Sequence, residues 1–177
     1  MMETVLPFAL LCFTSLFTIT SPLSTMPVFL TMTQSLEEKE RRAVAVRATL
    51  VACCALLLFT LGGQFLFRFF GISTNGFRIV GGIIIFRIGF DMLQARYTPM
   101  NLRKEEIKEY TKDVSVAPLG IPLLCGPGAI ANSIVLMEEA GSFELKTALI
   151  LAIVLVYVIT YCLLRWAGQL VKFIGET

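Results

Sequence analysis

Ala117 to Ile130 reads APLGIPLLCGPGAI, an apolar stretch holding three prolines, Pro118, Pro122 and Pro127, together with three glycines. Each proline removes a backbone donor and crowds the carbonyl one turn earlier, so this stretch cannot be one uninterrupted helix. A weaker partner lies upstream in Ser21 to Leu30, SPLSTMPVFL, where Pro22-Leu23 is again followed by a second proline, Pro27. Two proline-broken apolar segments at matching places in two halves of a chain point to a transporter's binding site.

The composition supplies the setting. Hydrophobic residues make up 56% of the 177 residues and charged residues 16%, well below the share of about 25% typical of soluble domains. This predicts an integral membrane protein in contact with a lipid bilayer. The net charge of +2 includes no basic block, so nucleic acid is not an expected partner. Cys12, Cys53, Cys54, Cys125 and Cys162 all lie in apolar runs without C-x-x-C spacing and read as small packing residues. Histidine is absent, which removes Ser-His and Cys-His nucleophile pairs and the usual zinc and haem ligands. No enzyme activity, cofactor or metal is expected. The N-terminus MMETV lacks the basic n-region of a signal peptide, so the first apolar segment is expected to stay in the protein.

Thr4 to Leu36 carries no charge; as one straight helix it would run roughly 50 Å against a hydrocarbon core of about 30 Å. Pro22 and Pro27 mark where it breaks, and Ser21, Ser24 and Thr25 beside them can satisfy the freed backbone groups or bind a solute. A charged stretch, SLEEKERRAVAVR, follows, with Ser35 and Glu38 at capping-box spacing. A second span covers residues 48–67, a tight connection falls near Gly71 and Asn75, and a third span runs from about Gly76 to Gln94, with Gly81-Gly82 suited to close helix contact. Arg87 and Asp91 sit one turn apart in it; charges inside a membrane are functional candidates by default, and Asp91 also has Arg96 nearby as a partner at the membrane edge. Residues 95–113 form a polar linker with a short surface helix expected from Leu102 to Tyr110. The fourth segment, Val114 to Met137, holds the opening motif. A half-helix starting near Gly128, with Asn132 and Ser133 in its first turns, would aim free N–H groups and a positive dipole end inward. The fifth span covers Thr147 to Leu164.

The GQFLFRFFGIST stretch from Gly63 and the GQLVKFIGET stretch from Gly168 share Gly-Gln, an apolar pair, a basic residue and a glycine. With the two Pro-Leu segments this predicts an internal repeat of residues 1–94 and 114–177 within one membrane domain, 1–177. Eleven Lys and Arg residues, at 39–47, 96–112, 165 and 172, flank the spans on one side, against Arg68, Arg78 and Lys146 on the other. The positive-inside rule then places the N-terminus outside and makes the repeat an inverted one.

The segments SPLSTMPVFLTMT (21–33), FGISTNGFRIVGGIIIF (70–86), FDMLQAR (90–96) and PLGIPLLCGPGAIANSIV (118–135) resemble the MarC family of bacterial inner-membrane proteins. The resemblance covers nearly the whole chain, and PLxIPLLxGPGAI is its most specific part. It implies an all-α integral membrane protein of six helices in two inverted three-helix repeats with proline-broken first helices, related to the LysE-type exporters, about five of the helices lying in these 177 residues. Some members are assigned as transporters of small neutral amino acids. The chain departs from the family pattern at Ser21, where Asn or Asp is usual, at Ser24, where glycine is usual, and at Arg87, where an apolar residue is usual. The family's sixth helix is expected to have no counterpart in these 177 residues, and the second repeat is then expected to be left open to lipid or closed by a partner chain.

The leading expectation is a secondary exporter of small neutral or zwitterionic solutes, with Ser21, Ser24, Thr25, Gly126, Gly128, Asn132 and Ser133 forming the binding site. Asp91 is the candidate for proton coupling, held ionised by Arg87. Pro22, Pro27, Pro118, Pro122 and Pro127 are the structural breaks. The alternative is a scaffold or inactive family member that moves nothing. Gly81-Gly82 and an incomplete second half allow a homo-oligomer, and the same small residues equally serve packing within one chain.

Overall fold

The computed structural model describes residues 2–34, 36–71, 73–93 and 119–175. Every element among them is helical: α1 (Met2–Thr20), α2 (Pro22–Met32), α3 (Glu38–Phe70), α4 (Thr74–Leu93), a π-helical segment (Leu119–Leu124), α5 (Pro127–Glu139) and α6 (Phe143–Gly175). The linker 95–113, Pro118 and Ser35 lie outside the described residues.

Three stretches are long and apolar enough to cross a membrane: Thr4–Met32, Glu38–Phe67 and Phe143–Ala167. The other two expected spans do not meet that measure. α4 is 20 residues long but carries Arg78, Arg87 and Asp91, and α5 has 13 residues, a rise of about 20 Å against a core of about 30 Å. The outward surface matches a bilayer. Leu58, Phe69 and Phe86 are each 73% exposed, which would be costly in water and is neutral among lipid tails.

Inside, the helices meet through small residues. Ala45, Ala48, Ala52 and Leu56 of α3 and Leu149, Ala152, Ile153 and Val156 of α6 are buried at helical spacing, and the two long helices pack on each other. Gly63 of α3 lies so close to α5 that a Cβ there would come within 2.7 Å of the Ile134 side chain. Gly81 of α4 approaches Ala131 of α5, its would-be Cβ 3.3 Å from the Ala131 methyl, whereas Gly82 faces open space. Of the two adjacent glycines, Gly81 therefore serves packing within the chain.

The packing order is crossed between halves. α1 and α2 lie against α6, while the π segment and α5 lie against α3; α4 packs on α5. The helix starts repeat at one interval: Pro127 follows Pro22 and Phe143 follows Glu38, in each case by 105 residues. Gly168 follows Gly63 by the same interval. This register pairs Pro22 with Pro127, whereas the Pro-Leu match in the sequence pairs Pro22 with Pro118.

Two connections are fixed by local chemistry. α3 opens on Glu37, whose N–H donates to Glu40 Oε2 at 3.2 Å. The capping pair thus sits two residues beyond the expected Ser35/Glu38. Arg41 Nη2 donates to the Thr33 carbonyl at 3.2 Å, placing a cation at the negative end of α2. Gly71, in the left-handed region at φ 64°, ends α3 before α4 begins.

Candidate functional site

The first helix breaks at Ser21. Its backbone stands at φ 45°, ψ 59°, and it is the one non-glycine residue with positive φ among the described residues. Pro22 explains the position, because a residue before proline is pushed out of the right-handed helical region. The Ser21 N–H closes α1 on the Phe17 carbonyl at 3.0 Å, and the Ser21 carbonyl accepts from the N–H groups of Ser24 and Thr25 to start α2. The Ser21 hydroxyl donates to Ser24 Oγ at 2.8 Å, and Thr25 Oγ1 donates to the Ser21 carbonyl at 3.3 Å. Pro27 does not break the chain as expected. α2 runs through it, since a proline within a started helix forfeits one bond, here to the carbonyl of the exposed Leu23.

The second break is built differently. Pro122 lies inside the π segment, whose wider turn closes through Cys125 N–H on the Gly120 carbonyl at 3.0 Å. The chain then extends at Gly126 (φ −77°, ψ 167°) and restarts with Pro127 at the first position of α5. The expected start near Gly128 is met to within one residue. By position, the N–H groups of Gly128 and Ala129 have no acceptor within the helix, the N-cap residue Gly126 has no side chain to cap them, and both residues are buried. Tyr157 of α6, itself buried, donates its hydroxyl to the Leu124 carbonyl at 3.0 Å, satisfying an acceptor that the break would otherwise orphan in apolar surroundings.

The two breaks come level with each other. α1 packs against α5 and α2 against the π segment, so the two broken segments run antiparallel. Asn132 Nδ2 donates to Ser15 Oγ at 3.2 Å. Ser15 stands six residues before Ser21, and Asn132 six after Gly126, about 9 Å from its break in each case. One hydrogen bond thus sets the two breaks at the same height. No Asp, Glu, Lys or Arg occurs in residues 4–36 or 119–137, so the broken segments themselves contribute only helix-end charge: α1 ends and α2 begins at the first break, and the π segment ends and α5 begins at the second.

Of the expected site residues, Ser21, Ser24 and Thr25 gather at one break and Gly126 and Gly128 at the other, with Asn132 bridging them. Ser133 is buried and donates to the Ile130 carbonyl at 2.9 Å, so its hydroxyl is occupied within α5. Arg87 is exposed on α4, six residues beyond Gly81. Asp91 belongs to the last turns of the same helix. Ser15 and Tyr157 were missed from the sequence. Ser15 follows from matching it to Asn132 across antiparallel breaks, and Tyr157 carries no local signal, being one aromatic among many in an apolar helix.

Residues 6–177 match the MarC family, described as MarC family integral membrane protein. The chain is 40% identical over 172 residues to the UPF0056 membrane protein MJ1677 of Methanocaldococcus jannaschii, covering 97% of this chain and 84% of that one. It is 33% identical over 176 residues to the UPF0056 membrane protein PH0760 of Pyrococcus horikoshii (99% and 84%). It is 32% identical over 168 residues to the UPF0056 membrane protein YvbG of Bacillus subtilis (93% and 80%). No solved structure matches the chain.

Proposed function

Because the chain belongs to the MarC family of integral membrane proteins, we propose that it is a secondary transporter of small neutral, zwitterionic solutes such as glycine and alanine, binding them where the two helix breaks meet. The observation that carries this reading is the junction itself: two uncharged breaks held level by the Ser15–Asn132 bond, with the start of α5 at a glycine N-cap that has no side chain to cap it. A helix N-terminus of this kind favours a carboxylate. The lack of acidic side chains in the broken segments disfavours a solute with net positive charge.

An inverted repeat gives such a site a way to open alternately to either side. The 105-residue interval between equivalent helix starts and the crossed packing of each broken segment on the other half's long helix support that symmetry. The distribution of Lys and Arg supports a plasma-membrane orientation with the N-terminus outside. Asp91 is the candidate for proton coupling. Asp91→Asn is expected to abolish proton-driven accumulation while leaving solute exchange intact; normal accumulation in that variant removes the role.

The direct test is reconstitution of the purified chain in liposomes with radiolabelled alanine and glycine. Saturable uptake of both, without uptake of lysine or glutamate, is expected. Liposomes that take up none of the four would overturn the reading.

A further inference from the structure

Eight helical threonines among the described residues, at 14, 18, 25, 31, 49, 60, 147 and 160, spend their hydroxyls on the carbonyl four residues back. Thr14 and Thr18 do so within α1 at 2.8 Å each, and the fully buried Thr60 and Thr160 do so at 2.6 and 2.7 Å. Thr20 does not. It is the last residue of α1, next to the break, 3% exposed, and its buried Oγ1 has no hydrogen-bond partner among the described residues. A buried hydroxyl without a partner carries a desolvation penalty that a back-bond to the Leu16 carbonyl would relieve. Thr20 lies on the same inward face as the buried Cys12 and Leu16, and α1 ends there in carbonyls that carry partial negative charge. One of these, on Thr18, has lost its helical donor altogether, because Pro22 stands four residues on.

Resting on the solute-site reading above, we propose that Thr20 is a binding residue for the ammonium group of a zwitterionic amino acid. Its Oγ1 accepts a hydrogen bond from that ammonium at the negative end of α1, while the carboxylate meets the first-turn N–H groups of Gly128 and Ala129 at the positive end of α5. The Ser15–Asn132 bond sets the end of α1 and the start of α5 at the same height, and no side-chain charge on the broken segments competes with either end. The site therefore selects α-amino acids over the corresponding carboxylic acids.

The purified 177-residue chain is titrated with alanine and with propionate, which lacks the amino group, by isothermal calorimetry alongside thermal unfolding. The wild type is expected to bind alanine at least about tenfold tighter than propionate, the scale of one hydrogen bond to a charged group. Thr20→Val keeps the side-chain shape and deletes only the unpartnered hydroxyl, so it is expected to unfold at the same temperature or higher and to reduce that ratio to about one. Thr20→Ser keeps the hydroxyl and is expected to restore the ratio. An unchanged ratio in Thr20→Val, or equal loss in both variants, overturns the assignment of Thr20 while leaving the solute site standing. A wild type that binds neither compound overturns the solute site and this assignment together.

Discussion

Ser21 holds the conformation on which the first break depends. A non-glycine residue in the left-handed region costs roughly 1–2 kcal/mol; the following proline, the hydroxyl contact with Ser24 and the two N–H groups gathered on the Ser21 carbonyl compensate for it. Asn and Gly tolerate this region better than serine, and β-branched residues tolerate it worst. Ser21→Asn and Ser21→Gly are expected to raise the unfolding temperature in detergent, and Ser21→Val to lower stability by about 1–2 kcal/mol; a stabilised valine variant would contradict the strained geometry. Tyr157→Phe removes the donor to a buried carbonyl and is expected to cost about 1–3 kcal/mol, read from the same melts. A break near Pro22 was legible because proline has one well-understood effect on helices. The left-handed serine was not, since serine carries no such preference. Nor was the partner of Leu124, which comes from 33 residues further along the chain.

Helix-to-helix contacts turn on which glycine faces which neighbour. A methyl added at Gly63 must displace the Ile134 side chain, and Gly63→Ala is expected to cost about 1–3 kcal/mol by overpacking. Combined with Ile134→Ala, which makes room, the pair is expected to cost less than the sum of the two single changes; strict additivity would argue against contact between α3 and α5 at this point. Gly81→Val is expected to weaken the docking of α4 on α5, and Gly82→Val to leave it unchanged, as measured by protease sensitivity of α4 in detergent. The doublet signalled close contact in the sequence, but only the packing of α4 on Ala131 distinguishes its two members. The start of α3 has the same character. Several glutamates follow one another at 37, 38 and 40, and the capping motif alone does not choose between registers two residues apart. Pro27 was over-read for a related reason. A proline inside a helix removes one backbone bond and crowds the preceding turn without having to end the helix, and α2 continues through Pro27.

Across the whole molecule, composition alone identifies a membrane protein, because few soluble folds can carry so little charge. The glycine-glutamine match between halves already contained the 105-residue interval, while the Pro-Leu match suggested a different one. The helix restarts at Pro22 and Pro127 agree with the former. The meeting of the two breaks was not legible, since it depends on each broken segment crossing to the other half's long helix. The central claim, that this junction is where solute binds, is tested most directly at Ser24, which is exposed beside the first break. Ser24→Cys, in a chain whose five native cysteines are replaced by alanine, is reconstituted in liposomes and its rate of reaction with a maleimide is followed as alanine is added. The account predicts a thiol that reacts, because the junction admits water, and that alanine protects it saturably. A thiol that never reacts, or one whose rate is indifferent to alanine, would contradict it.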